Sequence, residues 1–303
     1  MPPAQPLCSP GMSPARTRRD LELRHLRCFL AIAEERNITR AAARLGLTQP
    51  AASRTLATLE AALGVRLVDR STHHLTLTAA GETFRVRAAA AVTAFGDALD
   101  VGRAEARPLR LGHSWSAAGR FTTPLLRRWR RAHPDVPLEL LRHDDRTAGI
   151  ASGSTDAALL RGPVDSPGLV AVTLFTEDRV AAVPSDSPLA DRPALVLANL
   201  APYPVALNPV SGTTTLALWP AATRPTRALT VANTDDWLAV IAADRAVGVT
   251  SAATPGMHPH PGVTFVPLTD APPLPVSLAW PDRTTHPALP ALVRLAQEIT
   301  AGA

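Results

Sequence analysis

The stretch from Ile38 to Glu60 constrains the fold more than any other part of this 303-residue chain. It runs Ile38-Thr39-Arg40-Ala41-Ala42-Ala43-Arg44-Leu45, then Gly46-Leu47, then Thr48-Gln49-Pro50-Ala51-Ala52-Ser53-Arg54-Thr55-Leu56-Ala57-Thr58-Leu59-Glu60. Two alanine-rich helical patterns flank a turn at Gly46, and each begins at a threonine. That is the sequence form of a helix-turn-helix, a unit that places its second helix in the DNA major groove. Thr39 is the expected cap of the first helix, its hydroxyl accepting an otherwise unpaired backbone N–H. Ala41, Ala42 and Ala43 favour helix and leave room for a close neighbour. Gly46 supplies the left-handed residue that ends a helix. Thr48 is the expected cap of the second helix, where Pro50 is tolerated because first-turn N–H groups lack helical partners. Ala52, Leu56 and Leu59 fall at i, i+4 and i+7 and make one buried stripe. Gln49, Pro50, Ser53 and Arg54 remain on the other side. An amide, a hydroxyl and a guanidinium suit base edges and phosphates. A plain helical hairpin with a solvated polar face shares this pattern, so the flanks decide.

Upstream, Leu23, Leu26, Phe29, Leu30 and Ala33 recur every three or four residues and predict a supporting helix over Leu23 to Glu35. Downstream, the segments around Val65 to Arg70 and Leu75 to Leu77 alternate about a polar turn that contains His73, which predicts a β-hairpin. Three helices and a hairpin make a winged helix. A long helical pattern then opens at Thr78, with Glu82 placed favourably near the positive helix end.

The run from Leu26 to Gly81 resembles the winged-helix domain of LysR-type transcriptional regulators. The matching pieces are Phe29 to Glu35, Thr39 to Ala42, Gln49 to Arg54, Leu59-Glu60, Leu63 to Leu67 and Leu75 to Gly81, ungapped across more than fifty residues. Val68 departs from the family, which usually carries an aromatic there. The resemblance implies a homodimer or homotetramer, DNA reading by the second helix and wing, RNA polymerase as a partner, and a C-terminal effector-binding domain built like periplasmic binding proteins. On that reading Thr39, Thr48, Gln49, Pro50, Ser53, Arg54, Arg66, Arg70 and His73 are the candidate DNA contacts.

The charge distribution points the same way. Residues 1–107 hold fifteen arginines against ten acids, whereas residues 108–303 hold sixteen of each, so the whole excess of +5 lies on the half expected to bind DNA. Every basic residue counted is arginine, whose planar fork pairs with phosphate and guanine. Cys8 and Cys28 are the only cysteines, without a disulfide framework or metal spacing. The first nineteen residues lack the apolar core of a signal peptide, and no run of eighteen apolar residues exists. The expected location is the cytoplasm, with no membrane partner, no metal and no cofactor.

The expected division is a disordered tail over 1–20, with Met12 an alternative start, a winged helix-turn-helix over 21–78, a linker helix and hinge over 79–107, and an effector domain over 108–303. In the linker helix Phe84, Val92, Phe95 and Leu99 belong to a narrow stripe suited to a helix–helix dimer seam. From Leu109 onward strands and helices alternate, the signature of a parallel α/β sheet, here folded into two lobes crossed twice by the chain. Ligands in such sheets sit at the carboxyl ends of strands and near helix N-termini. The rule selects Ser114, Trp115 and Ser116 after the first strand, and Arg161 after a later one. It also selects Ser211, Thr213 and Thr214 at the opening of an expected helix, and Thr250 at another strand end. Hydroxyl donors with Arg161 as counter-charge suit a small anionic effector; Asp156 and Asp165 are the acids that Arg161 could pair with instead.

Two other functions compete. One is a DNA-binding regulator with no small-molecule effector. The other is an α/β ligand-binding or hydrolytic protein with an appended winged helix. Gly112-His113-Ser114-Trp115-Ser116 imitates a nucleophile elbow, but Ser116 replaces the second glycine that permits the sharp turn, so no catalytic residue is assigned.

Overall fold

The computed structural model describes residues 21–69, 75–99, 107–210, 212–283 and 286–302. The expectations for the tail over 1–20, for Arg70 and His73, for positions 100–106 of the hinge and for Ser211 lie outside the described residues. The rest falls into two compact units, one ending at Leu99 and the other beginning at Arg107.

The first unit runs α1 (Leu23–Glu35), α2 (Ile38–Arg44), α3 (Gln49–Leu63), β1 (Val68–Asp69), β2 (Thr76–Leu77) and α4 (Ala79–Leu99). Thr48 caps α3 as expected, its hydroxyl accepting from Ala51 N. Thr39 does not cap α2. That helix starts two residues earlier than a cap at Thr39 would set it, and the Asn37 side chain accepts from Arg40 N at 3.0 Å. Asn37 is extended, φ −158, so its short carboxamide reaches back over the first turn while Thr39 already lies inside it. Phe29, Ile32, Ala41, Ala52, Leu56 and Leu59 form the core.

Beneath the wing, three polar devices fix the chain. The Glu60 carboxylate accepts from Leu67 N at 2.7 Å and Val68 N at 3.1 Å. Thr78 donates to Arg66 O at 2.7 Å and accepts from Gly81 N at 3.0 Å. A Cβ on Gly81 would stand 2.0 Å from the Leu67 carbonyl oxygen, so only glycine lets α4 approach the wing this closely. Glu60, Thr78 and Gly81 of the resemblance are therefore structural. Val68 is fully buried there. Among the described residues the wing pairs Val68 with Leu77 and Asp69 with Thr76.

The second unit has two lobes. In the first, β3 (Leu109–His113), β4 (Leu138–Arg142), β5 (Ala157–Arg161), β6 (Leu169–Glu177) and β12 (Leu274–Pro281) form a sheet ordered β4-β3-β5-β12-β6. Helices α5 (Thr122–Ala132) and α9 (Leu289–Thr300) supply Leu125, Trp129 and Leu292 to its core. In the second, β7 (Arg179–Pro184), β10 (Gly248–Ser251) and β11 (Val263–Pro267) form a three-stranded sheet, with β8 (Val205–Leu207) and β9 (Ala228–Thr230) paired separately. Helices α6 (Leu197–Leu200), α7 (Thr234–Ala242) and α8 (Thr254–Met257) complete it. The chain crosses between lobes at Asp178 and again between β11 and β12.

The sheets are mixed rather than parallel. β3 runs parallel to β4 and β5, but β12 is antiparallel to β5 and β6, and β7 is antiparallel to both neighbours. The physical reason is the double crossing: β6 leaves the lobe and β12 returns to it, each against the direction of its partner. One expected helix is absent, and the segment between β4 and β5 holds none either. Residues 143–153 form turns, with Ala148, Gly149 and Gly153 at positive φ, a geometry no right-handed helix admits. Thr213 to Thr215 open no α-helix, and only a 3-10 turn follows at Leu216–Leu218. Three consecutive β-branched residues disfavour helix there, and Thr214 is held elsewhere.

Where the described part of the second unit begins, the buried Asp156 carboxylate takes Arg107 at 2.9 Å and Arg110 at 3.1 Å. Burial raises its pKa, but hydrogen bonds from Arg110 and Arg107 outweigh that and bring it down to about 2.

Candidate functional site

On the first unit, α3 presents Gln49, Pro50 and Arg54 to solvent, with Ser53 half-buried beside them. The stripe that faces inward, Ala52, Leu56 and Leu59, sets this orientation. Arg66 is exposed at the root of the wing. Neither Arg54 nor Arg66 forms an ion pair with a described residue, whereas Arg40 and Arg44 are tied to Glu35 and Glu34. Thr39 is exposed on α2 and Thr48 is exposed at the start of α3. Polar, unengaged groups at the start of a recognition helix are what base edges and phosphates require.

On α4, the residues expected at a seam divide. Phe84 meets Phe29 edge-to-face at 5.3 Å and packs against the unit's own core, so it is corrected from seam to core. Val92 is half-buried, while Phe95 and Leu99 stand 45% and 72% exposed.

In the second unit, three cavities lie between the lobes: one of about 600 Å³ bounded by Phe121, Glu177, Ala253 and Met257, and two adjoining ones that share Thr213. The smaller of these two, of about 40 Å³, is bounded by Trp115 from the first lobe and by Asn208, Thr213, Thr214, Thr234, Trp237 and Thr250 from the second. The larger of the two, of about 220 Å³, is bounded by Ser114, Arg146, Arg161, Asp165 and again Thr213. Six of the eight sequence-chosen cleft residues, Ser114, Trp115, Arg161, Thr213, Thr214 and Thr250, thus line one or both. Asn208, Thr234 and Trp237 were missed. Asn208 follows β8 directly and could have been found by the strand-end rule.

Two of the chosen residues have a different role. Arg161 is no free counter-charge. Its Nε and Nη2 bond the Glu177 carboxylate at 2.9 and 3.0 Å, and its Nη1 donates to the carbonyls of Trp115 and Ala117. Neither Asp156 nor Asp165 is its partner; Glu177 lies two strands away in β6, a neighbour that only the sheet order reveals. Ser116 is buried with its hydroxyl unpaired and lines neither of these two cavities. Ser116 and Ala117 adopt φ 53 and 36, a left-handed pair that costs a non-glycine backbone on the order of 1 kcal/mol per residue and is held in place by Arg161. The resulting turn sets Trp115 against the cavity, with the Arg161 guanidinium 4.8 Å over its ring.

Thr214 accepts from Arg179 and donates to Val249 O at 2.8 Å. The hydroxyls of Thr250 and Thr254 lie 2.8 Å apart. His113 and His258 each keep one buried ring nitrogen without a partner. Burial, with the positive charges of Arg142 and Arg161, lowers the pKa of both.

A family model described as the LysR substrate binding domain matches residues 102–301, and one for bacterial regulatory helix-turn-helix proteins of the lysR family matches residues 23–82. The chain belongs to the LysR family. Its members are DNA-binding transcriptional regulators with a substrate-binding domain. The chain is 37% identical over 202 residues to the uncharacterized HTH-type transcriptional regulator YnfL of Escherichia coli K12, covering 64% of this chain and 68% of that relative. It is 34% identical over 183 residues to a probable hydrogen peroxide-inducible genes activator of Streptomyces viridosporus, covering 58% of each. A solved structure of full-length CbnR complexed with its target DNA aligns with TM-score 0.62 and 25% identity, over 92% of this chain and all of that one. Among the described residues no helix is long and apolar enough to cross a membrane.

Proposed function

We propose that this chain is a cytoplasmic, ligand-responsive transcription regulator that acts by binding and not by catalysis. Residues 21–78 read a double-stranded operator through Gln49, Ser53, Arg54 and the wing. Residues 79–107 link and dimerise, and residues 108–303 sense a small molecule between their lobes. A homodimer or homotetramer on DNA, working through RNA polymerase, is the assembly this reading requires. The observation that carries it is the cleft itself. Both lobes contribute hydroxyls and indoles to one pair of adjoining cavities, and ligand sites are concave and furnished with convergent polar groups that fix orientation.

The test has two parts. Operator DNA is selected from random sequence by the purified protein, and a metabolite set is screened by thermal shift. A ligand at a hundredfold its dissociation constant stabilises the folded state by about 2.7 kcal/mol and raises the melting temperature. Such a ligand should also change operator affinity. Ser114→Ala with Thr213→Val should weaken the response and leave the melting temperature of the free protein close to wild type. A double variant that binds the same ligand as tightly as wild type rules out this cleft.

A further inference from the structure

The second unit buries two arginines close to the cleft, and it treats them differently. Arg161 is neutralised by Glu177 at 2.9 Å. Arg179, the first residue of β7, is 7% exposed and forms no ion pair with a described residue. Its Nε donates to Pro272 O at 2.9 Å, its Nη1 to Thr214 Oγ1 at 3.3 Å and its Nη2 to Thr213 O at 3.5 Å. All three acceptors are uncharged. A guanidinium carries five N–H donors, so these bonds leave donors over. A buried cation without an anion is costly, and a buried charge is ordinarily met by an opposite one.

Its position says where that charge would come from. Thr213 and Thr214, the residues that Arg179 bonds in the second lobe, are the wall of the small cavity, and Thr213 is also the wall of the larger one. Pro272 lies on the return crossing between the lobes. Arg179 therefore stands behind the cleft wall at the hinge, bonded to the two residues through which its charge is nearest the small cavity. The small cavity, about 40 Å³, admits a two- or three-atom head group and no ring. The adjoining 220 Å³ is bounded by Leu160, Pro163 and Val164 on one part and by Asp145, Arg146 and Asp165 on another, so it takes a short body with both apolar and polar neighbours.

Resting on the reading of this cleft as the effector site, we infer that Arg179 is its anion-selecting residue and that the effector is a small carboxylate. Its head group lies in the small cavity, against the wall formed by Thr213 and Thr214. Arg161 does not select charge; it shapes the turn that carries Trp115.

The probes are acetate, propionate and butyrate, each paired with its neutral amide, on the full-length protein at constant ionic strength with chloride as the reference salt. The carboxylates should raise the melting temperature and the amides should not. Arg179→Gln, which keeps hydrogen-bonding capacity and removes the charge, should weaken carboxylate binding at least tenfold. Should that variant misfold, the wild-type contrast between carboxylate and amide still decides. Equal responses to both, abolished by Ser114→Ala with Thr213→Val, overturn charge selection and leave the cleft standing as a neutral-ligand site. Carboxylate binding that survives both the double variant and Arg179→Gln overturns the inference and the cleft assignment together. No response to any carboxylate above chloride overturns the inference alone, and the metabolite screen then judges the cleft.

Discussion

Arg54 stands exposed on α3 with no described carboxylate to hold it, while Arg40 and Arg44 nearby are committed to glutamates on α1. A guanidinium free of internal partners can meet a guanine edge bidentately, and such a contact discriminates by about 1–3 kcal/mol. Arg54→Ala should cost that much on the selected operator and little on unrelated DNA, as gel-shift titration would read. Equal affinity on the operator removes Arg54 from the interface. Asp156 belongs to stability rather than recognition. Its folded pKa, about 2, lies below the usual carboxylate value, so its contribution is complete at neutral pH and is lost as pH falls from about 4 through about 2. Asp156→Asn should therefore flatten the acid limb of the stability curve and lower stability at pH 7 by about 3 kcal/mol, because two arginines lose their anion. Urea titrations at pH 7 and pH 3 check both; an equal loss at the two pH values would contradict it.

At the scale of elements, what the sequence displays depends on the range over which each element is determined. α3 follows from apolar spacing and a cap, both local, and Ala52, Leu56 and Leu59 are buried as the spacing predicts; in α1 the spacing finds the helix but misplaces its inner face, for Phe29 alone of the five named residues is buried, beside Cys28, Ala31 and Ile32. Strand direction is non-local. Nothing within Val276 or Leu278 announces that β12 runs against β5, and the pairing of Arg161 with Glu177 exists only because β5 and β6 flank β12. The cleft was half legible for the same reason: strand ends are visible in sequence, but which of two arginines is neutralised is a property of the fold. α4 is the intermediate case. Its 21 residues span about 31 Å, longer than its own unit covers. Phe84 and Ala88 pack inward, and Phe95 and Leu99 are left bare. Phe95→Asp removes nothing from the unit's core, so the fold should survive. A carboxylate buried in a helix–helix seam costs several kcal/mol, so sedimentation should show monomers. A folded variant that stays dimeric places the seam elsewhere.

Across the whole molecule, thiol chemistry separates this chain from what one relative's name suggests. That relative, from Streptomyces viridosporus, is called a probable hydrogen peroxide-inducible genes activator. Residues 107–303, the unit that holds the cleft, contain no cysteine. Peroxide reacts with thiolates, so a sensor needs an accessible thiol with a low pKa. Cys28 is the opposite: fully buried in α1, its Sγ donating to Ala52 O at 3.6 Å, its pKa pushed up by burial. Oxidising it would first require opening the core shared by α1 and α3, an event governed by unfolding and not by signalling. Cys8 is the one other thiol in the sequence, and Cys8→Ser removes it. Operator affinity of that variant, measured before and after treatment with peroxide, should be the same, while a carboxylate that binds the cleft should still shift it. A peroxide-dependent change in Cys8→Ser that disappears in Cys8→Ser with Cys28→Ala would mean that the core opens readily enough for Cys28 to act as a sensor. Burial between α1 and α3 would then not be what protects the Cys28 thiol, and the reading of Cys28 as a core residue alone would have to be abandoned.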